Sequence, residues 1–107
     1  MAVKLVHPEL GEIRVSFAHN QKTQEMQHFE TGVPFRIIGL TYCAIYRPTG
    51  KDSRDPIADA DSLCAEGDIF SKRFGRKQAF TRALSQIKDR ALRKFIGDGV
   101  RASGMHF

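Results

Sequence analysis

The stretch FRIIGLTYCAIYR, residues 35–47, is rich in the β-branched and aromatic residues that are typical of a β-strand. Both of its faces are largely apolar. Such a strand is either central in a sheet that is covered on each side, or has one face that binds something. Gly39 lies within it and predicts a bulge or bend. A sheet built around residues 35–47 is therefore the predicted centre of the fold.

Shorter strands are predicted on both sides of this segment. AVKLVH contains one over residues 3–6, GEIRVSFA (11–18) alternates regularly, and EMQHFE (25–30) is a short partner. Residues 47–62 contain two prolines, one glycine and seven charged side chains, which predicts a long exposed loop over residues 48–62. A short strand over residues 62–65 follows the loop.

The period changes to that of a helix after residue 70. The apolar stripe recurs every three or four positions, at Phe80, Leu84, Ile87, Ala91 and Phe95. Asp68 or Ser71 is suited to cap the start, Gly97 to end the helix, and residues 98–107 to form a frayed tail. We therefore predict a single α+β domain over residues 1–107, with a small antiparallel or mixed sheet of three to five strands packed against one long C-terminal helix.

The net charge of +5 is unevenly distributed along the 107 residues. Residues 1–71 carry seven Lys/Arg and ten Asp/Glu, a net charge of −3, whereas residues 72–107 carry ten Lys/Arg and two Asp/Glu, a net charge of +8. A basic pole of this kind is suited to phosphate or another acidic partner. It is equally compatible with solubility alone.

Composition predicts a cytoplasmic protein that neither is exported nor enters a membrane. The chain has no apolar run of signal-peptide length and none that approaches the ~20 residues of a membrane span. Its two cysteines, Cys43 and Cys64, are too few for a disulfide scaffold.

The segment FSKRFGRKQAFTRAL, residues 70–84, combines five cations with three phenylalanines and no acid. On a helical wheel Arg82 falls on the solvent side and Arg76 on the edge, whereas Arg73 and Lys77 fall inside the apolar arc. Either the helix begins near Gly75 or later, or its first turns overhang the sheet. In both cases the cations cluster near a helix N-terminus, where anions are favoured. The candidate phosphate contacts are Lys72, Arg73, Arg76, Lys77 and Arg82, with Phe70 or Phe74 as a stacking residue for a base.

Residues 68–84, DIFSKRFGRKQAFTRAL, also carry a resemblance. They are similar to a pattern, D-x-F-S-[KR]-x-x-G-R-x-x-A-x-x-R-A-L, in small uncharacterised proteins of bacteriophages and prophages. The resemblance covers about 17 residues and carries over no catalytic residue. It implies an accessory protein of a mobile element, a class that includes small proteins that block host defence complexes.

No pattern in the sequence indicates an active site, a metal site or a cofactor. The acids Asp52, Asp55, Asp59 and Asp61 lie in one predicted loop, but without the glycine and terminal glutamate of an EF-hand. The soft metal ligands show no zinc spacing, and nothing places a base beside either thiol. These candidate ligands are His7, His19, His28, His106, Cys43 and Cys64. We expect no enzyme activity, no metal and no cofactor.

The leading hypothesis is a small non-enzymatic protein that contacts nucleic acid or a nucleoprotein through its basic C-terminal helix. The first alternative is an inhibitor of a host defence complex, of the anti-CRISPR type, that docks on a host protein; Tyr42, Tyr46 and Met26 are its candidate anchors, because aromatic residues and Met are enriched at interfaces. The second alternative is a self-associating structural protein.

Overall fold

One long strand organises the sheet, as residues 35–47 predict. The computed structural model describes residues 2–105. The described elements are β1 Ala2–His7, β2 Gly11–Asn20, β3 Gln24–Gln27, β4 Pro34–Pro48, β5 Arg54–Ala65, α1 Lys72–Ser85 and α2 Arg90–Ala102. The α+β class is therefore confirmed.

All strand pairs in the described sheet are antiparallel. β5 pairs with one edge of β4, while β2 and then β3 pair with the other edge, and β1 lies outside β2. The register places Phe17 opposite Cys43 and Cys43 opposite Ala60. A register shift between Ile37 and Gly39 confirms the predicted irregularity at Gly39.

The two helices cover one face of the sheet. α1 packs on β4 and β5, and α2 packs on β1 and against α1. The core between the layers is fully buried at Ile13, Val15, Ile96 and Val100. The other face, to which alternate residues of β4 point, carries no helix in the part of the chain that the structure describes. Within residues 2–105, β4 is therefore covered by helices on one face only. The alternative of a strand covered on each side was wrong.

The single long helix was a wrong prediction. α1 ends at Ser85 and α2 begins at Arg90. Asp89 caps α2, since its side chain accepts a hydrogen bond from the Leu92 N–H at 3.1 Å. Ile87 lies between the helices and is buried, so an apolar residue continues the stripe through the break.

The predicted loop over residues 48–62 is mostly strand, because β5 begins at Arg54. Its inward positions carry small side chains, Ala58 and Ser62, which are buried, while Asp59 and Asp61 point away and are exposed. α1 packs on this strand, and most of its buried residues are small: Gly75, Ala79 and Ala83. The small and acidic residues of β5 alternate with the period of a strand, but β5 lacks the bulky apolar side chains by which a strand is usually recognised.

The segment predicted as a frayed tail, residues 98–107, continues α2 as far as Ala102. Val100 is fully buried, and Gly97 lies inside the helix instead of ending it. His106 and the last residue lie outside the described residues. Neither described helix is long and apolar enough to cross a membrane.

Candidate nucleic-acid interface

α1 begins at Lys72, three residues before Gly75. Ser71 is its N-cap, and the Ser71 hydroxyl accepts a hydrogen bond from the Phe74 N–H at 3.2 Å. The four cations at the start of α1 therefore all project from regular helix: Lys72, Arg73, Arg76 and Lys77. The alternative in which the helix begins near Gly75 or later was therefore wrong.

The two candidate stacking residues occupy different environments. The ring of Phe70 lies over Gly39, where any Cβ would overlap it, and meets the His19 ring edge-on at a centroid distance of 6.3 Å. Phe74, in contrast, is 61% exposed. Phe74 is therefore the more accessible of the two rings.

Lys72 and Arg76 face the end of β2, where His19 lies. His19 Nδ1 is 3.0 Å from the Thr41 hydroxyl. Partial burial, together with the positive charges of Arg76 and Lys72, holds the pKa of His19 below its ordinary value of 6.5. The cations at this end of α1 thus add to the effect of burial in disfavouring a positive charge on His19.

Arg73 and Lys77 lie one turn apart on the flank of α1 that faces α2, since Lys77 lines the cleft between the helices. Arg82 follows Lys77 by five residues, about 140° around the helix. Its guanidinium Nη1 donates to the Asp61 carbonyl of β5 at 2.9 Å. Arg82 is therefore separated from the other candidate phosphate contacts.

The cleft between α1 and α2 has a volume of about 600 Å³. Three cations from the two helices line it: Lys77, Arg93 and Arg101. Its remaining lining consists of apolar side chains and two hydroxyls: Phe80, Leu84, Met105, Thr81 and Ser85. No acidic residue lines the cleft in the part of the chain that the structure describes.

Two hydrogen bonds position the cations of α2. Arg93 Nη1 donates to the Ile87 carbonyl at 3.1 Å, and Arg101 Nη1 lies 3.5 Å from an Asp98 carboxylate oxygen. A neighbouring groove on α2 adds Arg90 and Lys94. The cleft and this groove adjoin, because Arg93 and Arg101 line both, and the groove also contains Asp98, which pairs with Lys94 and Arg101.

Sequence reasoning missed the contribution of α2. In the predicted single long helix, Arg90 and Arg93 would fall on the solvent side, away from Lys77. The break at residues 86–89 turns them toward α1, and the signal that could have revealed it is Asp89, a good N-cap inside an otherwise helical pattern.

No protein-family model, curated protein or solved structure matches this chain.

The three candidate anchors for a protein partner do not form one patch. The Tyr42 hydroxyl donates to an Asp59 carboxylate oxygen at 2.7 Å, which raises the pKa of Tyr42 above its ordinary value. The Arg54 guanidinium lies 4.9 Å from the centre of the Tyr46 ring. Both tyrosines belong to the sheet face that the helices leave open. Met26 pairs with Phe35, seven residues or about 23 Å along β4 from Tyr42.

The remaining candidate ligands are dispersed. Among residues 2–105 no three His, Cys, Asp or Glu side chains come together as a metal site would require. Cys43 is buried, and burial raises the pKa of its thiol to about 12. His7 Nδ1 accepts from the backbone N–H groups of Glu9 and Leu10, both at 3.1 Å. Cys43 and His7 therefore have packing and hydrogen-bond partners within the fold.

Proposed function

We propose that the protein binds the phosphate backbone of nucleic acid, free or in a nucleoprotein, through its helical layer and without catalysis. The observation that carries this proposal is the convergence of Lys77, Arg93 and Arg101, from two helices, on one cleft that no acidic side chain among residues 2–105 lines. We name the surface the helical basic face and define it by Arg73, Lys77, Arg90, Arg93, Lys94 and Arg101. The resemblance of residues 68–84 to phage proteins agrees with an accessory role of this kind.

The charge distribution supports a polyanion as the ligand. Residues 72–107 carry a net charge of +8, and both Lys77 and Arg101 are exposed. Cations that contact phosphates release the counterions that surround nucleic acid, so the free energy of binding depends strongly on salt. The two acids of this segment are Asp89, which caps α2, and Asp98, whose ion pairs with Lys94 and Arg101 offset part of the positive charge of the helical basic face.

Fluorescence anisotropy with a labelled oligonucleotide between 50 and 300 mM salt, on the order of the physiological range, tests the proposal. We expect log Kd to rise linearly with log salt concentration, with about 0.7–0.9 of slope for each phosphate contacted. The double variant K77Q/R101Q removes two exposed cations of the helical basic face. It should weaken binding and reduce the slope by about 1.4–1.8.

The matched control is K22Q/K51Q, which removes the same charge from exposed positions in the sheet half of the chain. It should leave the slope nearly unchanged. Absence of binding by the wild type at low salt would refute the proposal, and equal effects of the two double variants would refute the assignment to the helical basic face.

The open sheet face favours a second candidate function, docking on a host protein. Its central row of β4 is apolar and only partly exposed to solvent at Ile38, Leu40, Tyr42 and Tyr46. Apolar and aromatic surface of this kind is enriched at protein interfaces. In this case the protein acts as an inhibitor or adaptor, as in the alternative that Tyr42 and Tyr46 suggest.

A pull-down from bacterial lysate after nuclease digestion distinguishes the two functions. Retention of one specific protein by the wild type, its loss with L40S/Y46S, and its persistence with K77Q/R101Q would support docking through the sheet face. Loss of all retained protein upon nuclease digestion would leave nucleic-acid binding as the function.

A further inference from the structure

A second cavity, of about 370 Å³, lies beside the first turn of α1. Leu63, Phe70 and Phe74 contribute apolar surface to it, and Asp68 and Ser71 contribute polar atoms. Its volume is near the lower end of the range of ~300–1,000 Å³ for ligand pockets. A cavity of this size suits one planar ring system and not an extended ligand.

Unusually exposed apolar side chains surround the mouth of this cavity. Phe74 is 61% exposed and Ile69 is 93% exposed, and both line the cavity. Exposed apolar side chains that line a concavity mark a ligand site more often than isolated ones do. The ring of Phe74 is thus available to stack on a flat ligand.

Cations of the helical basic face adjoin this ring. Lys77 follows Phe74 by three residues, which places the two Cβ atoms about 5–6 Å apart on the helix surface. Arg73 precedes Phe74 directly in the same turn. A phosphate bound by Lys77 or Arg73 and a ring stacked on Phe74 are therefore within the reach of one nucleotide.

We propose that the cavity beside Phe74 binds an unpaired base, so that the ligand of the helical basic face is single-stranded nucleic acid. This inference rests on the proposed function. A base in a duplex is paired and stacked and cannot enter the cavity, whereas a base of a single strand presents its face to Phe74. The strand's phosphates contact Arg73 and Lys77 and continue into the cleft between the helices.

The polar atoms of the cavity can contact the edge of the base. The Ser71 hydroxyl accepts from the Phe74 N–H and keeps its own proton for donation to a base carbonyl or ring nitrogen. The Asp68 carboxylate can accept from an exocyclic amino group. The hydroxyls of Thr41 and Ser62, deeper in the cavity, are bonded to His19 and Gln78.

The test compares a labelled single strand with a duplex of equal length for the wild type, F74L and F29L. F74L keeps an apolar side chain but removes the ring, and F29L makes the same change at an exposed phenylalanine outside both helices. We expect F74L to weaken single-strand binding about fivefold or more, with no effect on duplex binding, and F29L to change neither. A 2-aminopurine base in the single strand should lose fluorescence on binding to the wild type and not to F74L.

The outcomes separate the two proposals. If single strand and duplex bind with equal affinity and F74L has no effect, the base-binding cavity is refuted. In that case a loss of binding to both with K77Q/R101Q would still support the helical basic face. Absence of binding to either nucleic acid would overturn both proposals. Circular dichroism of F74L checks that its fold is retained, which the exposure of Phe74 leads us to expect.

Discussion

Gly75 is a residue at which α1 comes close to the sheet. It is buried, and a Cβ at this position would overlap the side-chain oxygen of Thr41 in β4. Alanine would gain up to ~1 kcal/mol of helix propensity, but overpacking of a close contact costs ~1–3 kcal/mol. We expect Gly75→Ala to lower the free energy of unfolding by about 1–2 kcal/mol in urea denaturation.

Gly97, inside α2, provides the matched control. A Cβ there would lie 3.1 Å from the Arg101 guanidinium Nη1, the end of a flexible side chain, and 3.6 Å from a Leu84 methyl carbon. Gly97→Ala should therefore be neutral or raise the free energy of unfolding by up to ~1 kcal/mol. Equal destabilisation by both alanines would contradict the close approach at Gly75.

His19 reports the electrostatic potential at the start of α1. Its pKa is lowered from 6.5 by burial and by the charges of Arg76 and Lys72, so near that pH the unfolded chain binds more protons than the folded one. Above pH 6.5 His19 is neutral in both states and does not lower the free energy of unfolding. As the pH falls below 6.5, protonation of His19 favours the unfolded chain and the free energy of unfolding decreases. The loss becomes constant below the folded-state pKa.

NMR titration of the His19 imidazole measures this effect directly. Arg76→Gln should move the pKa of His19 partly back toward 6.5, because burial, the larger cause, remains. Arg82→Gln, on the other side of α1, should leave it unchanged. A pKa of His19 that is indifferent to Arg76→Gln would show that the charge of Arg76 does not contribute to the shift.

At the scale of elements, Arg82 of α1 and Gln86, which caps the C-terminus of α1, bond to the outer edge of β5. Gln86 Nε2 donates to the Asp59 carbonyl at 2.6 Å, and its Oε1 accepts from the Asp59 N–H at 3.3 Å. Arg82 contacts the Asp61 carbonyl two residues further on. Unpaired strand edges promote pairing between molecules, so this cover protects a long edge strand.

Gln86→Ala removes two of these hydrogen bonds. We expect a loss of about 1 kcal/mol in the free energy of unfolding, faster amide exchange at Asp59, and more aggregation at high protein concentration. Ser85→Ala, which removes only a hydroxyl bonded to the Arg82 carbonyl in the same helix, is the control. Unchanged exchange at Asp59 would mean that water replaces Gln86 without cost.

The elements differ in how far the sequence predicts them, for physical reasons. β4 is predictable because β-branched and aromatic side chains occupy both of its faces. β5 is not, because its inward residues are small where α1 packs closely. The break between the helices is hidden because Ile87 keeps the apolar period through it, and the basic cleft depends on that break. Lys77 was therefore predictable as a candidate contact, whereas Arg93 and Arg101 were not.

At the scale of the whole molecule, the charge asymmetry of the sequence becomes an asymmetry between layers. The segment with a net charge of −3 contains the described strands, and the segment with +8 contains both described helices. The acids Asp59 and Asp61 lie in the sheet, and the cations of the helical basic face lie in the other layer. A polyanion is therefore attracted to one side of the molecule, and its approach is steered by the same field.

Lysine acetylation with mass spectrometry tests this orientation, because the chain has lysines in both layers. Lys77 and Lys94 belong to the helical basic face, whereas Lys4, Lys22 and Lys51 belong to the sheet half. With a saturating oligonucleotide at low salt, we expect protection of Lys77 and Lys94 and little change at the other three, since a bound phosphate shields the ammonium group. K77Q/R101Q should abolish the protection of Lys94, which controls for a direct effect of the oligonucleotide on the reagent. Protection spread evenly over both layers would mean that the net charge alone attracts the ligand and that the helical basic face does not orient it.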